Sequence, residues 1–239
     1  LEDGDPWHHA VTTKYFAYQL STSRPAEIGQ FVNYVAPYPP GYDLLMSILY
    51  QPSHQMMWTL KYFNALLLAL AVLFFGIMAY EFTKSYAKSL FATFLLVAIP
   101  SFLGHFIWSE TLAVVAFFPA FYCIKKLEDT AVSSNFFINT FLQKCWITNK
   151  WMIPAILITA SIMVTQPIAA YAFGVFLMIY WFVESLYNKK FVKTIFMIAV
   201  IGLLLSVVLY WAPVKIKFDI FGSSEKTQTT SKFTELKWK

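Results

Sequence analysis

The sequence predicts an all-α fold: a polytopic transmembrane helical bundle of about six spans, with a long outer loop that carries short amphipathic helices. Three observations predict it. Hydrophobic residues make up 58% of the chain and charged residues only 13%, and the mean hydropathy of +0.56 lies well outside the usual soluble range. Long apolar stretches follow one another after residue 55, and lysines gather between alternate stretches.

Six apolar stretches account for the expected bundle. A transmembrane helix needs about 20 predominantly apolar residues, with about 17 as the lower limit. The third and fourth stretches are short, so we expect them to be tilted or only partly embedded. The stretches are residues 56–80, 87–103, 110–124, 151–165, 168–187 and 194–213.

The lysines orient the predicted spans. If the chain crosses the membrane at every stretch, the lysines of the short connections all fall on one side, which the positive-inside rule makes cytoplasmic. The tail carries further lysines on the other side, but charge in tails weighs little in this rule. The lysines of the connections are Lys84, Lys88, Lys125, Lys126, Lys144, Lys150, Lys189, Lys190 and Lys193.

This orientation divides the chain into three parts. Residues 1–55 form an extracytoplasmic loop, residues 56–213 the helical bundle, and residues 214–239 a polar extracytoplasmic tail. We therefore expect an integral, multi-pass membrane protein, located in the plasma membrane if the source is a prokaryote. Cys123 and Cys145 fall on or near the reducing side, so we expect free thiols.

Acidic and imidazole side chains crowd into the start of the outer loop. Asp3, Asp5, His8 and His9 lie within the first nine residues, which suggests a polar reaction centre at the bilayer surface. Pro6 pushes Asp5 out of the helical region, so a helix can begin there with Asp5 at or near its N-cap. A cap explains Asp5 locally, but it does not explain the other three residues.

Two further patterns lie in the outer loop. Apolar and aromatic residues recur at helical spacing over residues 7–20, which predicts a short amphipathic helix. It either lies in the membrane interface or packs as an ordinary cap on the bundle. Residues 36–42 form a stiff proline segment that includes Tyr38. The segment either holds the loop against the membrane surface or serves only as a connector between its neighbours.

A second polar group lies on the same predicted face. Glu110 begins the third apolar stretch, where a charge is costly without a partner or a function, and His105 precedes it. Asp5 and Glu110 could bind a divalent cation together or divide acid and base roles. Alternatively, Glu110 stabilises the N-terminus of its helix. Considering Asp5 and Glu110 together, we favour a shared site. Gln166 lies at another turn on the outer side and is a further polar candidate for this site.

These motifs resemble those of the GT-C superfamily of membrane glycosyltransferases, and in particular the catalytic subunit of oligosaccharyltransferase. The matching runs are Asp-Pro-Trp-His-His at residues 5–9, Tyr-Pro-Pro-Gly at 38–41 and Ser-Glu-Thr-Leu-Ala at 109–113. The chain departs from the family at Trp108, where the second motif carries an aspartate, so the superfamily is the broader expectation. The chain begins without an initiator Met or a basic n-region, and we expect a partial or processed chain.

The resemblance implies a reaction and a set of roles. A sugar or oligosaccharide would move from a polyprenyl (dolichyl) phosphate or pyrophosphate donor to a protein asparagine or a glycolipid on the outer face. Asp5 would be a metal ligand and base, Glu110 a second ligand of Mg²⁺ or Mn²⁺, and Asp3 the alternative principal acid. A pyrophosphate donor favours the metal, whereas a monophosphate donor could react with Asp5 as general base alone. Polar side chains that would contact the donor are His8, His9, His105, Tyr38 and Gln166.

A transporter or a non-catalytic membrane scaffold is the alternative. Transporters usually carry ionisable residues near the bilayer midplane on broken helices. Here Glu81 and Glu184 lie at predicted inner ends and Glu110 at an outer end, which favours an enzyme working at the surface. No basic patch with interleaved aromatic residues appears outside the tail, so we expect no nucleic-acid partner.

Overall fold

The computed structural model describes residues 5–19, 39, 41–103, 109–133, 150–189 and 191–212. Within these ranges the chain is helical apart from short turns and contains no strand, which confirms the predicted all-α class. The helices are α1 (Asp5–Gln19), α2 (Gly41–Ser53), α3 (Met56–Thr83), α4 (Tyr86–Ala98), α5 (Pro100–Leu103), α6 (Ser109–Ser133), α7 (Met152–Thr165), α8 (Pro167–Tyr187) and α9 (Lys193–Ser206), which a π-helical turn (Val207–Trp211) continues.

Each of the six apolar stretches falls within helical structure, but not all are long. Three segments are long and apolar enough to cross a membrane: α3, α8, and α9 with its π-helical turn (Lys193–Trp211). The apolar helices α4 and α7 have only 13 and 14 residues. The second stretch breaks at Ile99 because the residue before a proline disfavours helical geometry. A membrane-embedded helical protein is therefore supported, and six complete spans stay a prediction.

The helices alternate in direction along the bundle. α3, α6 and α8 run one way, since Glu81 of α3 pairs with Lys126 of α6 and Tyr180 of α8 donates to Glu128 of α6. α4 runs against α3, because Ser89 Oγ donates to the carbonyl of Gly76 at 2.6 Å. This alternation is what repeated crossing of a bilayer requires.

The largest apolar core lies among α6, α7, α8 and α9. Phe173 is fully buried, and its ring contacts those of Phe117 and Phe121 at centroid distances of 5.0 and 5.4 Å. Many large apolar side chains face outward instead, especially on α4 and α8, which is compatible with a lipid surround. Examples are Leu90, Phe91, Phe94, Phe176, Met178 and Phe182.

The two ends of the bundle differ in their polar residues. We call the end where α1 and α2 pack the loop end; it includes the start of α3, the start of α6 and the junction of α7 with α8. We call the opposite end, which carries Lys84 and Lys125, the lysine end. The loop end is the one predicted to be extracytoplasmic.

Close packing of α9 on α7 requires a glycine at position 202. A Cβ there would lie 2.7 Å from Thr159 Cγ2, and Thr159 is buried and β-branched, so its side chain is stiff. We expect Gly202→Ala to lower the free energy of unfolding by about 1–3 kcal/mol, as overpacking does. Unfolding by sodium dodecyl sulfate in mixed micelles would measure it.

Gly174 provides the matched control. A Cβ there would meet no atom within 4 Å, and alanine is about 0.5–1 kcal/mol more favourable than glycine within a helix. Gly174→Ala should therefore leave stability unchanged or raise it slightly. Equal stability of the two alanine variants would contradict tight packing at Gly202.

Candidate functional site

Two helices of the outer loop lie side by side at the loop end. His9 Nδ1 lies 2.8 Å from Asp43 Oδ1, and Gln51 Nε2 donates to the carbonyl of Ala17 at 3.4 Å. Both pairs are separated by 34 residues, so α1 and α2 run parallel, in the same direction. The N-terminal ends of the two helices are therefore neighbours.

The His9–Asp43 pair is buried. Asp43 has no exposed surface and His9 is 8% exposed. Because a carboxylate oxygen only accepts, an ionised Asp43 requires the imidazole proton on Nδ1. Burial raises the pKa of the Asp43 carboxyl, and the hydrogen bond from His9 and its charge oppose that rise. Within the described part of the chain, Asp43 Oδ2 accepts no hydrogen bond.

Tyr42 and Asn64 extend the polar group into the bundle. The Tyr42 ring meets the His9 ring edge-on with centroids 5.0 Å apart. Asn64 Nδ2 donates to the Tyr42 hydroxyl at 3.1 Å and to the carbonyl of Leu60 at 2.7 Å. Burial raises the pKa of Tyr42. At 1.5 Å per residue, Asn64 lies about 12 Å along α3 from Met56, where the helix begins. The polar group therefore extends from the loop end into the bundle.

The start of α2 is fixed against the end of α7. A Cβ on Gly41 would lie 3.1 Å from Thr165 Oγ1 and 3.2 Å from the carbonyl of Val164, so the glycine permits this close approach. Gln166 is the residue after Thr165 and is buried. Its Oε1 accepts from the backbone amides of Ile168 and Ala169, at 2.5 and 3.1 Å, and so caps α8. Its predicted contact with the donor stays a prediction.

The start of α6 lies at the same end of the bundle. Leu112 packs against the apolar cluster that contains Ala10 and Tyr42. Glu110 stands in the first turn of α6 and is half-buried, between the buried residues Ser109 and Thr111. The start of α6 therefore lies at the same end of the bundle as α1 and α2.

Several predicted site residues lie outside the described part of the structure. Asp3, Tyr38 and His105 are among them, as are the side chains of Asp5 and His8, although the backbone of α1 begins at Asp5. Among the described side chains, no group of three or more His, Cys, Asp or Glu residues is arranged to hold a metal ion. The shared-cation site of Asp5 and Glu110 stays a prediction.

Sequence reasoning missed Asp43, the buried partner of His9. The signal was present, since an acidic residue follows the proline segment and stands in the first turn of α2. Such a position is usually a solvated helix-terminal charge, which complements the helix dipole. The pattern of the sequence cannot show that α1 covers this carboxylate.

A second ionic cluster lies at the lysine end and joins α3, α6 and α8. Glu81 is paired with Lys84 and with Lys126, whose Nζ lies 2.8 Å from Glu81 Oε2. Lys84 also reaches Asp129 at 2.9 Å. Lys125 lies within 4 Å of three carboxylates, those of Glu128, Asp129 and Glu184. Most of these charges satisfy one another, which favours a structural role.

Comparisons with known proteins give no relative. No family model, no curated protein and no solved structure matches the chain. The fold therefore defines a class of protein only: an all-helical chain with three candidate membrane-spanning helices, compatible with a lipid bilayer.

Proposed function

We propose that this protein is a membrane glycosyltransferase of the GT-C type, which moves a sugar from a polyprenyl phosphate or pyrophosphate donor to an acceptor at the loop end. The observation that carries the proposal is the His9–Asp43 pair, which is buried at the loop end on the helix that begins at Asp5. Burying a carboxyl and an imidazole is costly, which supports a functional role at this end of the bundle.

The proposed reaction divides its work among a few side chains. The bond between the anomeric carbon and the phosphate oxygen breaks, and the polyprenyl phosphate or pyrophosphate, according to the donor, leaves with the electron pair. A hydroxyl or an asparagine amide of the acceptor bonds to that carbon, and Asp5, or Asp3, takes its proton. Glu110 and Asp5 would hold a divalent cation, which would neutralise charge on a pyrophosphate. His8 and His105 would position the donor phosphate, whereas His9 is buried against Asp43.

Donor specificity and metal dependence test this proposal. The protein, purified into lipid nanodiscs, would be incubated with radiolabelled sugar on polyprenyl phosphate or on polyprenyl pyrophosphate, together with an asparagine-containing peptide or a glycolipid acceptor. We expect transfer from one donor, and loss of transfer on chelation if that donor is the pyrophosphate. Absence of both transfer and donor hydrolysis with Mg²⁺ and Mn²⁺ would contradict the proposal.

The recessed position of Tyr42 and Asn64 is the observation that favours a transporter instead. In that case a solute would cross the membrane of proteoliposomes that contain the protein, with no cleavage of the sugar–phosphate bond. Cleavage of the donor by the purified protein, with no flux of the released sugar, would exclude the transporter hypothesis.

The proposal also requires the loop end to be extracytoplasmic. Lys14 is exposed on α1, whereas neighbouring Thr12 is buried, so Lys14→Cys gives an accessible thiol. In a Cys145→Ser background, we expect a membrane-impermeant maleimide to label Lys14→Cys in intact cells. A cysteine in place of exposed Asn188, at the lysine end, should be labelled only in inverted vesicles. The reverse pattern would overturn the orientation.

A further inference from the structure

We infer that Asp43 is a positioning residue, which fixes the rotation and register of α1 and thereby the place of Asp5. The inference rests on the proposed function in one respect, since it takes Asp5 to act at the site. Its structural part, the alignment of α1 on α2, stands on the described contacts alone.

The buried contact between α1 and α2 joins His9 and Asp43. His9 Nδ1 and Asp43 Oδ1 lie 2.8 Å apart in a buried setting. The contact further along, from Gln51 Nε2 to the carbonyl of Ala17, is 3.4 Å long and exposed. Hydrogen bonds to charged groups are roughly twice as strong as neutral ones, and exposure weakens the second contact. Asp43 therefore sets the alignment.

Polar side chains take a large part in the packing of α1. Among its described side chains, His9, Thr12 and Thr13 are buried together with Ala10, while Val11 is 41% exposed. The hydrophobic effect is non-directional and would favour burying Val11 instead. Directional bonds of buried polar groups have to select the observed rotation.

The position of Asp5 follows from that rotation. Asp5 precedes His9 by one helical turn, so the two residues share a face of α1. The parallel course of the two helices places the start of α1, at Asp5, towards the same end as the start of α2. A slip of one residue would rotate α1 by about 100° and carry Asp5 away from this place.

Such a displacement would change catalysis more than folding. A misplacement of about 1 Å at a reacting centre can cost about a hundredfold in rate. Removing one partner of a buried pair leaves the other without its bond and costs stability, whereas replacing both partners by apolar residues of similar volume costs little. We therefore expect Asp43→Leu, assayed below its lowered melting temperature, to reduce kcat at least about tenfold. His9→Leu combined with Asp43→Leu should reduce kcat as much with the melting temperature little changed.

Three companion variants sharpen the test. Asp43→Asn keeps an oxygen that accepts from His9, so it should lose less kcat than Asp43→Leu. The exchange H9D/D43H restores a pair across the same contact and should recover part of the lost kcat. Thr13→Val is the matched control: Thr13 is buried on the same helix, and its hydroxyl makes no hydrogen bond within the described residues. It should leave kcat unchanged.

Cross-linking gives a readout that does not depend on activity. Cysteines in place of Ala17 and Gln51, in a Cys145→Ser background, would report the alignment of α1 on α2 through a short bifunctional thiol reagent. Asp43→Leu should slow cross-linking several-fold, and H9D/D43H should restore it. Unchanged cross-linking in Asp43→Leu would overturn the positioning role, whatever happens to activity.

The two readouts separate the two proposals. If the wild-type protein transfers no sugar but Asp43→Leu still slows cross-linking, the proposed function fails and the alignment by Asp43 stands. If transfer occurs and Asp43→Leu retains full kcat, the positioning inference fails and the proposed function stands.

Discussion

Replacing Asp5 by Asn is expected to remove most sugar transfer, by about a hundredfold or more, and Glu110→Gln should do the same. The helices that carry the two residues both reach the loop end, where Leu112 of α6 packs against the apolar cluster that contains Ala10 of α1. If the two carboxylates hold one cation, the double variant should be little worse than either single one, because residues that act as a unit are non-additive. Initial rates of transfer at saturating donor would measure this.

The alternative interpretation of these residues predicts a different result. If Asp5 and Glu110 only cap their helices, each change should cost about 1 kcal/mol of stability and leave turnover nearly intact. Glu184→Gln, at the lysine end, is the matched control, because it removes a carboxylate near the end of another helix. A structure with donor and Mn²⁺ that placed the two carboxylates more than roughly 10 Å apart would also refute shared binding, since ligand distances are about 2–2.6 Å.

Periodicity and composition predicted the helices of this protein well. Each apolar stretch coincides with one helix or, for the second, with two helices separated at Ile99, and the break at Gln166–Pro167 falls where expected, with Pro167 beginning α8. These features are local, because a helix forms its backbone hydrogen bonds within one segment of the chain. The structure adds that α4 and α7 are short, so their depth in a bilayer depends on neighbouring helices.

The polar contacts between helices could not be predicted in the same way. His9 was singled out for its place beside Asp5, but its partner Asp43 lies 34 residues away on a helix that runs parallel to α1. That geometry depends on the path of the loop and on the close approach of Gly41 to Thr165. Similarly, Lys126 was counted for its charge, whereas the structure pairs it with a buried carboxylate, Glu81.

That carboxylate is the basis of the second large effect we expect. The Glu81 side chain is only 5% exposed, and Lys84 and Lys126 both neutralise it. Lys126→Ala alone, or Lys84→Ala alone, leaves one cation in place and should cost about 1 kcal/mol or less. The double variant leaves an uncompensated buried charge, so we expect a loss of about 3 kcal/mol or more in the free energy of unfolding.

Adding Glu81→Gln to the double variant isolates the cause of this loss. Glutamine keeps the shape of the side chain and removes the buried charge, so the triple variant should recover most of the stability. Unfolding in mixed micelles would measure all four proteins, with Lys189→Ala as a control for an exposed lysine at the same end. If the double variant lost only the sum of the single losses, the two lysines would act independently. Each lysine would then contribute its own small amount, and the burial of Glu81 would carry no extra cost when both are removed.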